Sequence, residues 1–210
     1  MEHFLGDQFL SYWGAPDAQP DAADRALRAS QSLIAGMEEL RAKLAPELKA
    51  LFGYGVAFHS GTALIGNKGS AQRLDYGLVG DLINAAARVE SLTKHYGVLF
   101  LITREAHAQL SNPPFTRLVD KVLVKGTSRP LELLEVKHPF SPDGFEEIVA
   151  RYNSAFADYE RGDFSAAERA FAALADEKED KPSALMVERC RELVADPPEQ
   201  WNGIYQLKTK

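Results

Sequence analysis

Cysteine is all but missing from this chain: Cys190 stands alone among 210 residues. That excludes an internal disulfide and points to a reducing compartment, the cytoplasm by default. Long apolar runs are missing too. The densest, residues 98–102, falls far short of the roughly 20 residues needed to cross a bilayer. The opening Met1-Glu2-His3-Phe4 offers neither a basic region nor an apolar one, so no secretory signal is legible there. A basic excess is also lacking: 24 Lys and Arg face 30 Asp and Glu, a net charge of −6. That argues against a general nucleic-acid binder but leaves room for a small anionic substrate held by a few local groups. His3, His59, His95, His107 and His138 show no metal-ligand spacing. No Gly-Lys-Ser or Gly-Lys-Thr opens a helix, so the glycine-bearing stretch 66–80 is not a P-loop.

What is present reads as a mixture of strands and helices. Gly6-Asp7 between Phe4-Leu5 and Phe9-Leu10 predicts a tight hairpin. Apolar residues from Ala23 through Leu27, Ile34 and Leu40 to Leu44 recur every three or four positions and predict a helix over about 22–45, which Pro46 interrupts or restarts. Short strands are expected over 54–58 and 63–65, as a second hairpin around Gly61, followed by a polar loop over 66–80. A second helix is expected over 81–95, acidic at its start and ended by Gly97. A buried strand over 98–102, a short helix over 103–110 capped by Thr103, and strands over 115–124 and 131–136 complete this part. The pattern favours an α+β fold over a doubly wound parallel sheet.

Composition changes after Pro139, where the chain turns helical and rich in Ala and Glu. Ala155, Gly162, Phe164, Ala167 and Phe171 fall at the positions of a tetratricopeptide-like helical hairpin with Arg161-Gly162-Asp163-Phe164 as its turn. Only about one repeat fits, so residues 139–210 read as a helical tail docked on a first unit over 1–138, with a continuing repeat array as the rival.

Three features carry candidate chemistry. Asp7, a carboxylate at a hairpin turn, suits magnesium held jointly with substrate phosphates, and equally suits a plain turn. Asn84 and Arg88, four apart, share a helix face away from Ile83 and Ala86. An amide beside a guanidinium can orient a ribose and neutralise charge on a phosphoryl group; a solvated polar face is the alternative. Lys125, at a hairpin mouth, can meet a terminal phosphate or simply face water.

Taken together, the segments resemble the class III nucleotide cyclases, the adenylate/guanylate cyclase catalytic domain. Phe4-Leu5-Gly6-Asp7-Gln8 through Trp13-Gly14-Ala15-Pro16 resembles the family's metal hairpin. Gly61-Thr62-Ala63-Leu64-Ile65-Gly66-Asn67 resembles its central hairpin. Arg73-Leu74-Asp75-Tyr76 and Val79-Gly80-Asp81-Leu82-Ile83-Asn84-Ala85-Ala86-Ala87-Arg88 resemble its most specific stretch, and residues 122–126 its late lysine hairpin. The match covers roughly residues 1–136.

The resemblance implies a ferredoxin-like α+β sheet carrying 4–12, 54–58, 63–65, 98–102, 115–124 and 131–136. It implies conversion of ATP to 3′,5′-cyclic AMP and pyrophosphate in intracellular signalling, with Mg²⁺ or Mn²⁺ at a two-metal site. Asp7 matches the second metal aspartate, Asn84 and Arg88 the ribose-orienting and transition-state residues, and Lys125 the triphosphate lysine. The site is shared across a head-to-tail homodimer. Three departures accompany the match. The family's first strand, which carries the first metal aspartate, finds no room before Asp7. His3 and Gly77 stand at the purine-reading positions, where the family usually has lysine and Asp or Thr, which leaves ATP against GTP open. A catalytically inert regulatory or dimerisation module is therefore the alternative expectation.

Overall fold

The stripe of small and branched apolar residues after Asp21 winds into α1 (Ala22–Lys43), with Ala23, Ala26, Leu27 and Ile34 turned inward. Pro46, harmless in a first turn where no backbone N–H is needed, starts a separate short α2 (Pro46–Leu51). The computed structural model describes residues 2–5, 8–70, 73–123 and 129–207; over 2–5, 67–70, 73–76 and at 79 the backbone alone is described.

A five-stranded sheet forms the middle of the molecule. It contains β3 (Val56–Phe58), β6 (Phe100–Thr103), β7 (Thr116–Leu123), β8 (Leu131–Val136) and β9 (Tyr205–Gln206), in the order β3-β6-β8-β7-β9. β3 runs parallel to β6 with Val56 opposite Phe100. β8 lies antiparallel to both β6 and β7, and β7 carries a bulge between Leu118 and Asp120. β9 runs parallel to β7, Val122 opposite Tyr205. Alternate residues of a strand face opposite sides. Phe100, Ile102, Leu134 and Val136 accordingly cluster with α1, while Leu101, Leu131 and Leu133 cluster with Val89, Leu92 and Tyr96 of α3 (Asp81–Tyr96). Burial on both faces explains why residues 98–102 read as an unbroken apolar run.

Two ribbons stand apart from this sheet. β1 (Glu2–Leu5) pairs with β2 (Gln8–Ser11), and β4 (Leu64–Ser70) with β5 (Arg73–Val79). This corrects three expectations. Neither the first hairpin nor residues 63–65 join the main sheet. The strands around Gly61 do not pair with each other, since β3 pairs with β6 and β4 with β5. Residues 66–70 and 73–79 are paired strands rather than a loop, with Gly66 placed opposite Gly77. The α4 helix is also shorter than expected, Arg104–His107, with Thr103 Oγ1 accepting from the Ala106 amide at its start.

Beyond β8 come α5 (Phe145–Glu160), α6 (Phe164–Lys178) and α7 (Lys181–Ala195), packed around Ile148, Tyr152, Phe156, Tyr159, Phe171, Met186 and Cys190. Asp163 and Asp180 cap α6 and α7 through bonds from the Ala166 and Ser183 amides. The three helices are seated on the sheet by buried charges. Arg117 in β7 bonds Glu135 of β8 through Nε at 2.8 Å and Asp180 at the head of α7 at 2.8 Å, and stacks over the Tyr152 ring at 4.8 Å. Tyr152 Oη donates to the Val119 carbonyl at 2.7 Å. Among the described residues no helix is long and apolar enough to cross a membrane.

Candidate functional site

α3 organises the site. Gly80, with φ at +133°, makes the turn out of β5, a conformation that side chains resist. Asp81 then places a carboxylate in the first turn of α3, at the positive end of its dipole. Ala85, Val89, Leu92 and Tyr96 are the buried stripe. Ile83, Ala86, Ala87 and Glu90 line a second side, facing β2 and β3. Asn84 is exposed and Arg88 half-buried, on a third side, about 6 Å apart along the axis at 1.5 Å per residue. No ion pair engages Arg88 among the described residues.

The first hairpin is moored to this helix. Gln8, the first residue of β2, donates its amide to Glu90 Oε2 at 2.8 Å, which tethers β2 to α3. Between β2, α1, β3 and α3 lies a trough with two adjoining chambers of about 310 and 420 Å³. Phe9, Leu10, Trp13, Leu33, Val56 and Ile83 line it. Among the described residues, β2 pairs only with β1 and β3 only with β6. At one end His59 Nδ1 lies 2.9 Å from Thr103 Oγ1, and burial lowers the histidine's pKa below its ordinary value.

The other expected site residues fall differently. His3 stands in β1 opposite Leu10. Gly77 is buried in β5 opposite Gly66, three residues before the turn at Gly80. Asp7 and Lys125 lie outside the described residues, although β2 and β7, the strands leading from and to them, are described. Among the described residues, no cluster of three or more His, Cys, Asp or Glu side chains could hold a metal.

The sequence reading missed a buried polar centre on the α3 side of the sheet. Asp120 accepts from Tyr96 Oη and from Arg189 Nη1, both at 2.5 Å. Burial and the neighbouring Asp120 carboxylate push the Tyr96 phenol well above its ordinary value. Nearby, burial raises Glu135 above the usual carboxylate range, the largest effect there, against the opposing pull of Arg117. The available signal was an Arg and an Asp, residues 117 and 120, interleaved with Leu118, Val119 and Val122 in one strand.

No family model matches the chain. The crystal structure of the adenylyl cyclase CyaB from P. aeruginosa superposes with a TM-score of 0.51 at 24% identity, over 68% of this chain and 72% of that one. The guanylyl cyclase Cya2 gives 0.51 and 24%, over 68% and 71%. The fold is that of the nucleotide cyclases. Among curated relatives, Adenylate cyclase 1 of Rhizobium meliloti (strain 1021) is 33% identical over 137 residues, which make up 63% of this chain and 20% of that protein. The Adenylate cyclase of Anabaena cylindrica is 32% identical over 141 residues, 65% of this chain and 28% of its own length. The chain thus spans between a fifth and under a third of these relatives.

Proposed function

We propose that this chain supplies a nucleotide cyclase catalytic domain that converts ATP to 3′,5′-cyclic AMP and pyrophosphate in intracellular signalling. One observation carries the reading: Asn84 and Arg88 stand one turn apart on an outward side of α3, and no ion pair occupies Arg88 among the described residues. A half-buried arginine with no ion pair, beside an exposed amide, is equipped to meet an outside anion.

In this reading the Asn84 amide holds the ribose so that its 3′-hydroxyl faces the α-phosphorus. The Arg88 guanidinium neutralises charge that grows on the phosphoryl oxygens as the bond to pyrophosphate breaks. Lys125, two positions along the chain from the last residue of β7, takes the terminal phosphates. His3 and Gly77 stand at the purine edge. The Asp7 carboxylate has the hard oxygen chemistry that Mg²⁺ or Mn²⁺ requires, and one or two carboxylates plus substrate phosphates suffice for such an ion. When bound, the metal supplies charge neutralisation and acidifies the attacking hydroxyl. Asp7 serves the site of a partner copy in a head-to-tail homodimer, which supplies Asn84 and Arg88.

One observation favours the rival reading of an inert regulatory or dimerisation module. Gly77 is buried opposite another glycine and offers a purine no side-chain hydrogen bond. The deciding experiment is conversion of ATP, then GTP, with Mg²⁺ and Mn²⁺, by the longest natural polypeptide carrying these residues. Cyclic product that disappears in Arg88→Ala supports the enzyme. Inactivity with both nucleotides and both metals leaves the regulatory module.

A further inference from the structure

The Asp120 carboxylate sits where three separately important parts of the chain meet. It is fully buried on β7, five positions before Lys125. Its Oδ2 accepts from Tyr96 Oη, at the last residue of α3, and from Arg189 Nη1 in the middle of α7, both at 2.5 Å. Its Oδ1 accepts the Lys121 amide at 2.7 Å. The Arg189 guanidinium in turn lies 3.9 Å over the Tyr205 ring in β9. α7 also meets the end of α3 directly. Gly97, φ +67°, closes that helix, and a Cβ there would fall 2.4 Å from Lys181 Cδ.

We propose that Asp120, Tyr96 and Arg189 form a positioning node through which the helical tail holds α3 and β7 in fixed register with one another. The inference rests on the cyclase reading only in that α3 carries Asn84 and Arg88 while β7 leads to Lys125; the mechanical coupling stands independently. A buried ion pair is a weak source of net stability, since apolar residues of similar volume often do as well. What such a node adds is direction: charged hydrogen bonds hold their partners at set angles. Both donors converge on a single oxygen, so neither α3 nor α7 can slide without breaking a bond to β7. An α-helix is stiff along its axis, and Arg88 stands eight residues from Tyr96, about 12 Å away. A shift at the tail therefore reaches the Asn84-Arg88 pair. The node residues touch no substrate; they act through α3 and β7.

The test compares Arg189→Met and Tyr96→Phe with Arg191→Met, which breaks only an exposed α7 pair with Glu168. Tyr96→Phe removes a single hydroxyl and keeps the node measurable if Arg189→Met fails to fold. Amide hydrogen exchange in the full chain, which requires no turnover, is the first readout. Exchange should quicken by about tenfold or more in α3 and β7 while β6 keeps its rates, because a local opening is felt only by the elements it frees. Arg189→Lys should recover part of the protection. The second readout is turnover: kcat should fall by roughly ten- to a hundredfold with KM little changed, since misplacing a reacting group by about 1 Å can cost about 10²-fold. Uniform quickening across β6 as well, no change in α3, or the same pattern in Arg191→Met overturns the proposal. The expected exchange pattern in a protein that turns over neither nucleotide keeps the coupling and discards the cyclase reading.

Discussion

Replacing Arg117 with methionine isolates the cost of the tail's second buried contact. The guanidinium bonds both Glu135 and Asp180 and is 2% exposed. Methionine fills much of the same space without the charge. Asp180 keeps bonds from the Ser183 amide at 3.0 Å and the Ser183 hydroxyl at 2.6 Å, so Glu135 becomes the stranded group. Leaving one buried partner unpaired costs about 3–5 kcal/mol. In a chain of this size that lowers Tm by about 6–20 °C, taking roughly 2–4 °C per kcal/mol. Adding Glu135→Leu to Arg117→Met should recover most of the loss, because an apolar replacement of the whole pair is close to neutral.

The pH dependence has a definite sign. Burial already raises the Glu135 pKa in the folded protein, against the pull of Arg117. A group with a raised folded pKa contributes stability below its unfolded value and loses it as pH climbs through the folded value. Without Arg117 that folded pKa rises further. The gap between Arg117→Met and the parent should therefore narrow as pH falls from neutral into the carboxylate range. Thermal and urea unfolding across that range measure it. A single variant that loses under about 1 kcal/mol, a double variant no better than the single, or a gap that widens in acid refutes the reasoning.

Other outcomes follow from the same structure. Arg88→Ala should lower turnover by about 10²–10³, the usual loss for one preorganised transition-state contact. Mixing it with Asp7→Ala should restore cyclic product in the mixed dimer; absence of any recovery discards the shared-site arrangement. Cys190 is fully buried, and burial pushes its thiol up to about 12. An aromatic disulfide reagent at mildly alkaline pH should then label it only at the rate of unfolding, followed by absorbance with and without urea. Gly97→Ala places a Cβ at φ +67° against the Lys181 stem, and should cost about 1–2 kcal/mol by thermal melting.

Much of the helical framework was legible because it rests on period and punctuation. α1 and α3 announced themselves through apolar stripes. Thr103 and Gly97 do in the structure what their residue types predict, one capping α4 with its hydroxyl and the other ending α3 at positive φ. The outward side shared by Asn84 and Arg88 needed only the count of residues per turn. The β4–β5 ribbon was hidden because glycines at 66, 69 and 77 imitate a loop, whereas here they pair within strands. β9 spans two residues, too few to show any alternation. Sheet membership was misjudged because hairpin signals report neighbours in sequence, while β3 finds its partner in β6, across two intervening strands and a helix. The buried charges were invisible for a related reason. Arg117 and Asp120 look like surface residues until α7 supplies or completes their partners.

The distance along the chain between those partners has a bearing on how the protein is made. Asp120 and Arg189 are 69 residues apart, Arg117 and Asp180 are 63. A ribosome adding about 5–20 residues each second takes roughly 3–14 s to cover the longer span. For that time Asp120 has Tyr96 and the Lys121 amide but no cation to answer it, and β7 presents to the cell the margin that β9 will later close. The nascent polypeptide is then a client for chaperones, and synonymous codons that slow synthesis over residues 140–190 should lower the yield of folded protein while leaving its final stability untouched.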